Sequence, residues 1–207
     1  YSNMGTRVNI FGTVCEKIEK FPLLVKLIDA TENLSVQVHP DNKCRSKFGD
    51  YEKNEAWYIL ECEKNAKIVC GVKEATKKKI ENIDEKNILE ELKYVKVKKG
   101  DVIYIKSGIV HALMGGIVAY EIQQNSNSTY RLYDWNRNVP SRKLQIQKAK
   151  IAIRNKKTKV KHTDTKSNFQ RLLNTKYFIL ERLCVDGVKR QKSKITSFVI
   201  YTVIEGR

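Results

Sequence analysis

Residues 34–42 read LSVQVHPDN, and the first six of them alternate. Leu34, Val36 and Val38 fall on one side of the strand this implies, and Ser35, Gln37 and His39 fall on the other. A face made of a hydroxyl, an amide and an imidazole looks either at water or into a cavity where those groups act. Residues two apart on a strand point the same way about 7 Å apart, so Gln37 and His39 could reach one ion. Other strand starts offer further ligands: Glu55 opens EAWYILE, and His111 closes the run GDVIYIKSGIVH. Imidazoles with a carboxylate and an amide oxygen suit Zn²⁺, or another divalent ion that keeps positions open for water or substrate. Taken singly, a strand histidine is more often a hydrogen-bonded structural residue.

A second pattern adds to the first. Gly100, Lys106-Ser107-Gly108 and His111 have the spacing of the second conserved box of cupin barrels, which this stretch resembles. In that box the terminal histidine binds metal inside the barrel. Most cupins carry proline where this chain has Lys106. Further on, YEIQQNSNSTYRLYDWNR puts Glu121 and Gln123 on one strand face, and Thr129, Arg131 and Tyr133 on one face of the next.

The elements that must position these groups are mostly short β-type runs between residues 22 and 135: 22–29, 34–39, 55–61, 66–72, 94–100, 101–105, 116–124 and 128–134. Gly, Asn and Asp separate them, as in an antiparallel sandwich or barrel. Two helical interruptions are predicted. One lies around 41–48; the other covers 77–93, where Ile80, Ile83, Ile88 and Leu92 approximate a helical stripe. A third helix is predicted over 141–153 with Ser141 as N-cap. After a polar linker, 177–187 and 197–206 read as strands again.

Four runs in order, FPLLVKLIDATENLSVQVHPDN, KNEAWYIL, KKGDVIYIKSGIVHAL and QQNSNSTYRLYDWNR, closely resemble the type I phosphomannose isomerases in their short bacterial form. The likeness is strong over about residues 8 to 150. It implies a mainly β fold, a cupin-type antiparallel barrel (jelly roll) with a few helices, followed by the start of a smaller β-domain. Residues 1–140 are then the metal-binding catalytic domain, without some N-terminal strands; 141–176 are a basic helix and linker; 177–207 begin the second domain. A chain that opens on Tyr1 and closes just after a strand and a glycine reads as a piece of a longer sequence. The resemblance further implies one zinc ion held by His39, Glu55 and His111, with Gln37 as a fourth ligand. It implies Arg131 as the catalytic arginine, Lys53 and Glu121 lining the sugar site, and Arg137 near the substrate phosphate. Asn127 and Ser128 stand where relatives usually have Asp and Thr.

The implied reaction interconverts mannose 6-phosphate and fructose 6-phosphate: a proton leaves C2 and returns at C1 through an enediol. Charge developing on the sugar oxygens calls for a divalent Lewis acid. Arg131 stays protonated and can grip an oxyanion or a phosphate. Glu121 is the candidate proton-shuttling base, with Lys53 or a water on the metal as alternatives. A non-catalytic cupin that binds a sugar phosphate, or regulates a partner, is the competing reading.

Composition narrows the other classes. No apolar run approaches the roughly 20 residues that cross a bilayer, so no membrane partner is expected. The five cysteines show no C-x-x-C spacing, as expected of free thiols in a reducing cytoplasm. The net charge of +17 is uneven: residues 1–140 hold 22 Lys/Arg against 19 Asp/Glu, and 141–207 hold 18 against 4. The basic run 148–162 has no interleaved aromatics for stacking bases, so it reads as a solvated helix and linker rather than a nucleic-acid site. Oligomeric state leaves no mark in the sequence.

Overall fold

The structure, a computed structural model, describes residues 9–10, 13–14, 21–74, 80–137, 139–154, 158–164, 167–188 and 198–206. Strands β1 (Asn9–Ile10) and β2 (Thr13–Val14) form a short ladder. Ten strands then build two five-stranded sheets. They are β3 (Leu23–Ala30), β4 (Val36–Val38), β5 (Glu55–Cys62), β6 (Lys67–Val72), β7 (Leu92–Lys96), β8 (Val102–Ile105), β9 (His111–Leu113), β10 (Ile117–Gln124), β11 (Tyr130–Tyr133) and β12 (Val160–Lys161). One sheet runs β12-β8-β5-β10-β3, the other β11-β4-β9-β6-β7, and every neighbouring pair in them is antiparallel. The expected mainly β, jelly-roll architecture is what the chain adopts.

Alternation along the strands fixes which residues face the middle. Trp57, Ile59, Ile103, Ile105, Ile117 and Ala119 of the first sheet meet Ile68, Cys70 and Leu113 of the second in one apolar layer. On the second sheet the alternate residues, such as Val36, Val38, Val69, Ala112, Tyr130 and Leu132, pack on its outer side. Helices α1 (Asn42–Phe48), α2 (Ile88–Glu91) and α3 (Ile146–Ala152) cover that outer layer, contributing Cys44, Ile88, Ala149 and Ala152. Ser35, Gln37 and His39 therefore face inward, which answers the question their alternation raises: the polar face looks into the protein.

The first predicted helix forms as expected. Asp41 caps its start by accepting from Lys43 N and Cys44 N, and Gly49 ends it at φ +74°. The second does not form as one piece. Over its described part the chain makes a 3₁₀ turn, Ile80–Asn82, and then the short α2. Asp84 and Asn87 explain the break, because their side chains bond nearby backbone instead of leaving it to a helix. Asp84 Oδ1 accepts from Lys86 N and Asn87 N, while Asn87 Oδ1 accepts from Asp84 N. The third helix starts later than predicted, with Gln145 rather than Ser141 at the N-cap.

The stretch read as a polar linker contributes β12, which pairs with β8, and β13 (Phe169–Asn174), which forms a hairpin with β14 (Ile179–Leu183). That hairpin packs Leu172, Phe178 and Leu180 on the outer face of the first sheet against Ala56, Tyr58 and Ile122. Its turn contains residue 176, where a domain boundary was expected. The strand predicted over 197–206 is absent among the described residues. There Phe198 stacks on Phe21 and Thr202 bonds the Tyr120 hydroxyl, side-chain contacts in place of a ladder. No helix among the described residues is long and apolar enough to cross a membrane.

Candidate metal centre

The inward faces of β4, β5 and β9 converge. Gln37 on β4 lies opposite His111 on β9, and Arg131 on β11 lies opposite Gln37, so three inward side chains share one row of the second sheet. Glu55 opens β5 in the facing sheet, and His39 follows β4 directly before Pro40. The donor atoms of His39, Glu55 and His111 all lie within 4.8 Å of one another, and all three residues are buried.

The turn that delivers His111 is held from three sides. Ile109 N bonds Lys106 O, Gly108 N bonds His39 O, and Arg154 N bonds Gly108 O. Gly108 takes φ +85°, and a Cβ there would meet Arg154 and Ala152. These bonds hold the turn in which Lys106 replaces proline.

Hydrogen bonds set the histidine tautomers. His39 Nδ1 lies 3.1 Å from Ser128 O, and His111 Nδ1 lies 2.8 Å from Ile109 O. A carbonyl only accepts, so each Nδ1 carries the proton and each Nε2 presents a lone pair. Those lone pairs point at one carboxylate: His39 Nε2 is 2.9 Å from Glu55 Oε2, and His111 Nε2 is 3.3 Å from Glu55 Oε1. Burial, aided by the Lys53 charge, pushes the His39 pKa down to about 3 despite adjacent Glu55, so the ring is neutral at ordinary pH. Burial alone would raise the Glu55 carboxyl, but Lys53, 3.1 Å away, helps hold it well below the usual carboxylate range.

Two lone pairs thus face an anion, and Glu55 Oε1 is buried with no hydrogen-bond partner among the described residues. Such a donor set is repulsive by itself and complete around a divalent cation, so these residues fit a metal. Gln37 Nε2 lies 3.4 Å from His111 Nε2, and a half-turn of its amide would offer Oε1 to the same point.

The other residues singled out from the sequence distribute as follows. Lys53 is buried beside Glu55. Arg131 has a buried Nε with no partner among the described residues. Burial and the charge of Arg142 lower its pKa, while Asp134 acts the other way. Glu121 faces inward one row from Glu55, opposite Trp57. Its Oε1 accepts from Lys26 Nζ at 2.6 Å and its Oε2 from Trp57 Nε1 at 3.0 Å. Arg137 bonds Glu32, the carbonyl of Asn33 and Asp134, none of which belongs to the ligand cluster.

Sequence reasoning passed over Lys26 and Trp57. Lys26 sat in a run read only as a strand, and its signal was a lone charge on the inward side of LLVKLIDA. Trp57 lies in the apolar layer between the sheets, and its indole N–H also holds Glu121.

Fold and site together define the class: a mainly β, cupin-type protein whose inward strand faces form a candidate two-histidine, one-carboxylate metal site. Comparison with known proteins shows what the chain is similar to. Residues 6–74 match the family described as phosphomannose isomerase type I, catalytic domain. Mannose-6-phosphate isomerase ManA of Bacillus subtilis is 38% identical over 91% of this chain and 63% of its own length. A mannose-6-phosphate isomerase of Streptococcus mutans is 38% identical over 62% of this chain and 40% of its own. The crystal structure of the mannose 6-phosphate isomerase from Bacillus subtilis superposes with a TM-score of 0.68 at 32% identity, over 80% of this chain and 56% of that one. The chain is thus similar to type I phosphomannose isomerases over most of its own length. It spans between 40% and 65% of the length of the curated relatives it matches.

Proposed function

We propose that this chain carries the active centre of a zinc-dependent mannose-6-phosphate isomerase, an aldose–ketose isomerase that forms fructose 6-phosphate through an enediol. The observation that carries the reading is the meeting of His39, Glu55 and His111 within 4.8 Å. Their nitrogen and carboxylate donors favour zinc. When bound, a divalent cation supplies Lewis acidity where negative charge develops on the sugar oxygens.

The remaining steps fall to side chains of this chain. His39, Glu55 and His111 hold the ion, with Gln37 as the fourth donor. Arg131 donates hydrogen bonds to the enediol oxygens or to the phosphate, and Arg137 binds the phosphate. Lys53 lines the sugar site and bonds a sugar hydroxyl. Glu121 takes the proton from C2 and returns it at C1. Lys26 and Trp57 support that assignment by fixing both carboxylate oxygens and leaving the second lone pairs available. The free thiols Cys44, Cys62, Cys70 and Cys184 support a cytoplasmic setting. The division at residues 140 and 176 belongs to the same proposal.

A coupled assay for fructose 6-phosphate, run with and without chelator, tests it. Turnover that stops on chelation and returns with Zn²⁺ is expected. Turnover indifferent to chelator would remove the metal from the account. Tight sugar-phosphate binding without turnover would make the chain a non-catalytic binder.

A further inference from the structure

We propose that Gln145 is a positioning residue for Arg131, a role that rests on the assignment of Arg131 above. Arg131 lies on β11, at the edge of its sheet, where only β4 flanks it. An edge residue has backbone groups with no strand to bond. Gln145 takes both of those on Arg131. The Arg131 N–H donates to Gln145 Oε1 at 2.8 Å, and the Gln145 N–H donates to the Arg131 carbonyl at 2.8 Å. One residue thus replaces a neighbouring strand at the point where it matters.

Three further features mark this as more than an edge cover. With both backbone groups turned toward Gln145, Arg131 and Gln37 are a non-hydrogen-bonded antiparallel pair, the kind whose side chains approach more closely. That pairing sets the guanidinium beside the row Gln37–His111. Second, Gln145 is the N-cap of α3, yet its side chain makes no bond to its own helix. Glutamine is not a favoured cap, and here its oxygen serves Arg131 instead. Third, the base of the clamp is fixed. Ala149 and Ala152 of α3 are fully buried, Lys148 bonds Asp50, and Arg154 binds Asp41 at its two oxygens.

The guanidinium needs such control from the backbone because no described side chain anchors its Nε. Nearby Asp134 is taken at both oxygens by Arg142. Without the Gln145 acceptor, the Arg131 amide opens to water and the strand edge frays. The arginine then samples positions off the reacting oxygens.

Two substitutions test this in the full chain. Q145L keeps the size of the side chain and the backbone bond but removes the acceptor; Q145E keeps an acceptor. Hydrogen exchange at the Arg131 amide, read by NMR, should be slow in wild type and Q145E and faster by on the order of tenfold in Q145L. In the isomerase assay, kcat of Q145L should fall on the order of tenfold to a hundredfold, with Q145E recovering most of it. Melting temperature and metal content should stay near wild type in both. Equal protection of the Arg131 amide in Q145L, wild-type kcat in Q145L, or equal losses in Q145L and Q145E would each overturn the proposal. If the wild-type chain gave no turnover, the isomerase reading would fall, and the exchange result alone would decide the role of Gln145.

Discussion

His39 Nε2 and Glu55 Oε2 face each other at 2.9 Å, with each side chain 1% exposed. The imidazole proton sits on the opposite nitrogen, against Ser128 O. An acceptor therefore meets an anion inside the protein, and a shared cation would turn that repulsion into a ligand pair. Glu55→Gln should consequently lose metal and also lose the response to chelator. We expect chelation to lower the melting temperature of wild type, through the loss of about 2.7 kcal/mol of linkage stabilisation at a hundredfold excess of ion over Kd, and to leave Glu55→Gln unmoved. Scanning fluorimetry with and without chelator reads the difference.

Arg131 should separate chemistry from metal binding. Arg131→Lys keeps a charge but loses the planar fork, and we expect kcat to fall by about 10²–10³. Metal content should be unchanged. Steady-state kinetics beside metal analysis checks both halves, and retained kcat would remove Arg131 from the reacting oxygens.

Trp57 tests the support of Glu121. Trp57→Phe deletes the indole N–H that donates to Glu121 Oε2 and keeps the ring that packs beside His111. With the carboxylate held only by Lys26, kcat should fall roughly tenfold while the fold and the metal are retained. An unchanged kcat would mean that the orientation of Glu121 does not matter.

Much of this was legible in the sequence, for an identifiable reason. Strand alternation carries its own geometry, so the shared face of Gln37 and His39 and the strand start at Glu55 were readable from period two alone, but not that this face turns inward. Which strands adjoin was not. The row Arg131–Gln37–His111 is set by long-range pairing, and the resemblance rather than local pattern linked those positions. The 77–93 helix was misread because apolar spacing outweighed Asp84 and Asn87, whose side chains compete for the backbone. The 197–206 strand was misread because β propensity does not supply a neighbouring strand. Gln145 had no signal at all, since its bond partner is a backbone group.

Asp134 gives a pH test of the loop behind β11. Hydrogen bonds and charge from Arg142, with Arg137 adding, hold its carboxyl below the ordinary 3.8. A depressed folded value contributes stability above the unfolded pKa and loses it as pH falls through the folded one. The stability gap between wild type and Asp134→Asn should therefore be constant from neutral pH down to about 5 and close below about 3.8. Denaturant melts at several pH values measure it, and a gap that widened on acidification would refute the assignment.

The interior layer sets the cost of disturbing the scaffold. Ile103 is 0% exposed between the sheets. Ile103→Ala should destabilise by about 2–5 kcal/mol in urea unfolding, with metal still bound in the folded fraction.

The most direct measurement is metal per chain, by mass spectrometry of the purified protein, in wild type, His39→Ala and His111→Ala. The account predicts one divalent ion in wild type and a loss in both variants, each of which removes one of the three donors that meet within 4.8 Å. Equal metal in all three proteins would contradict it.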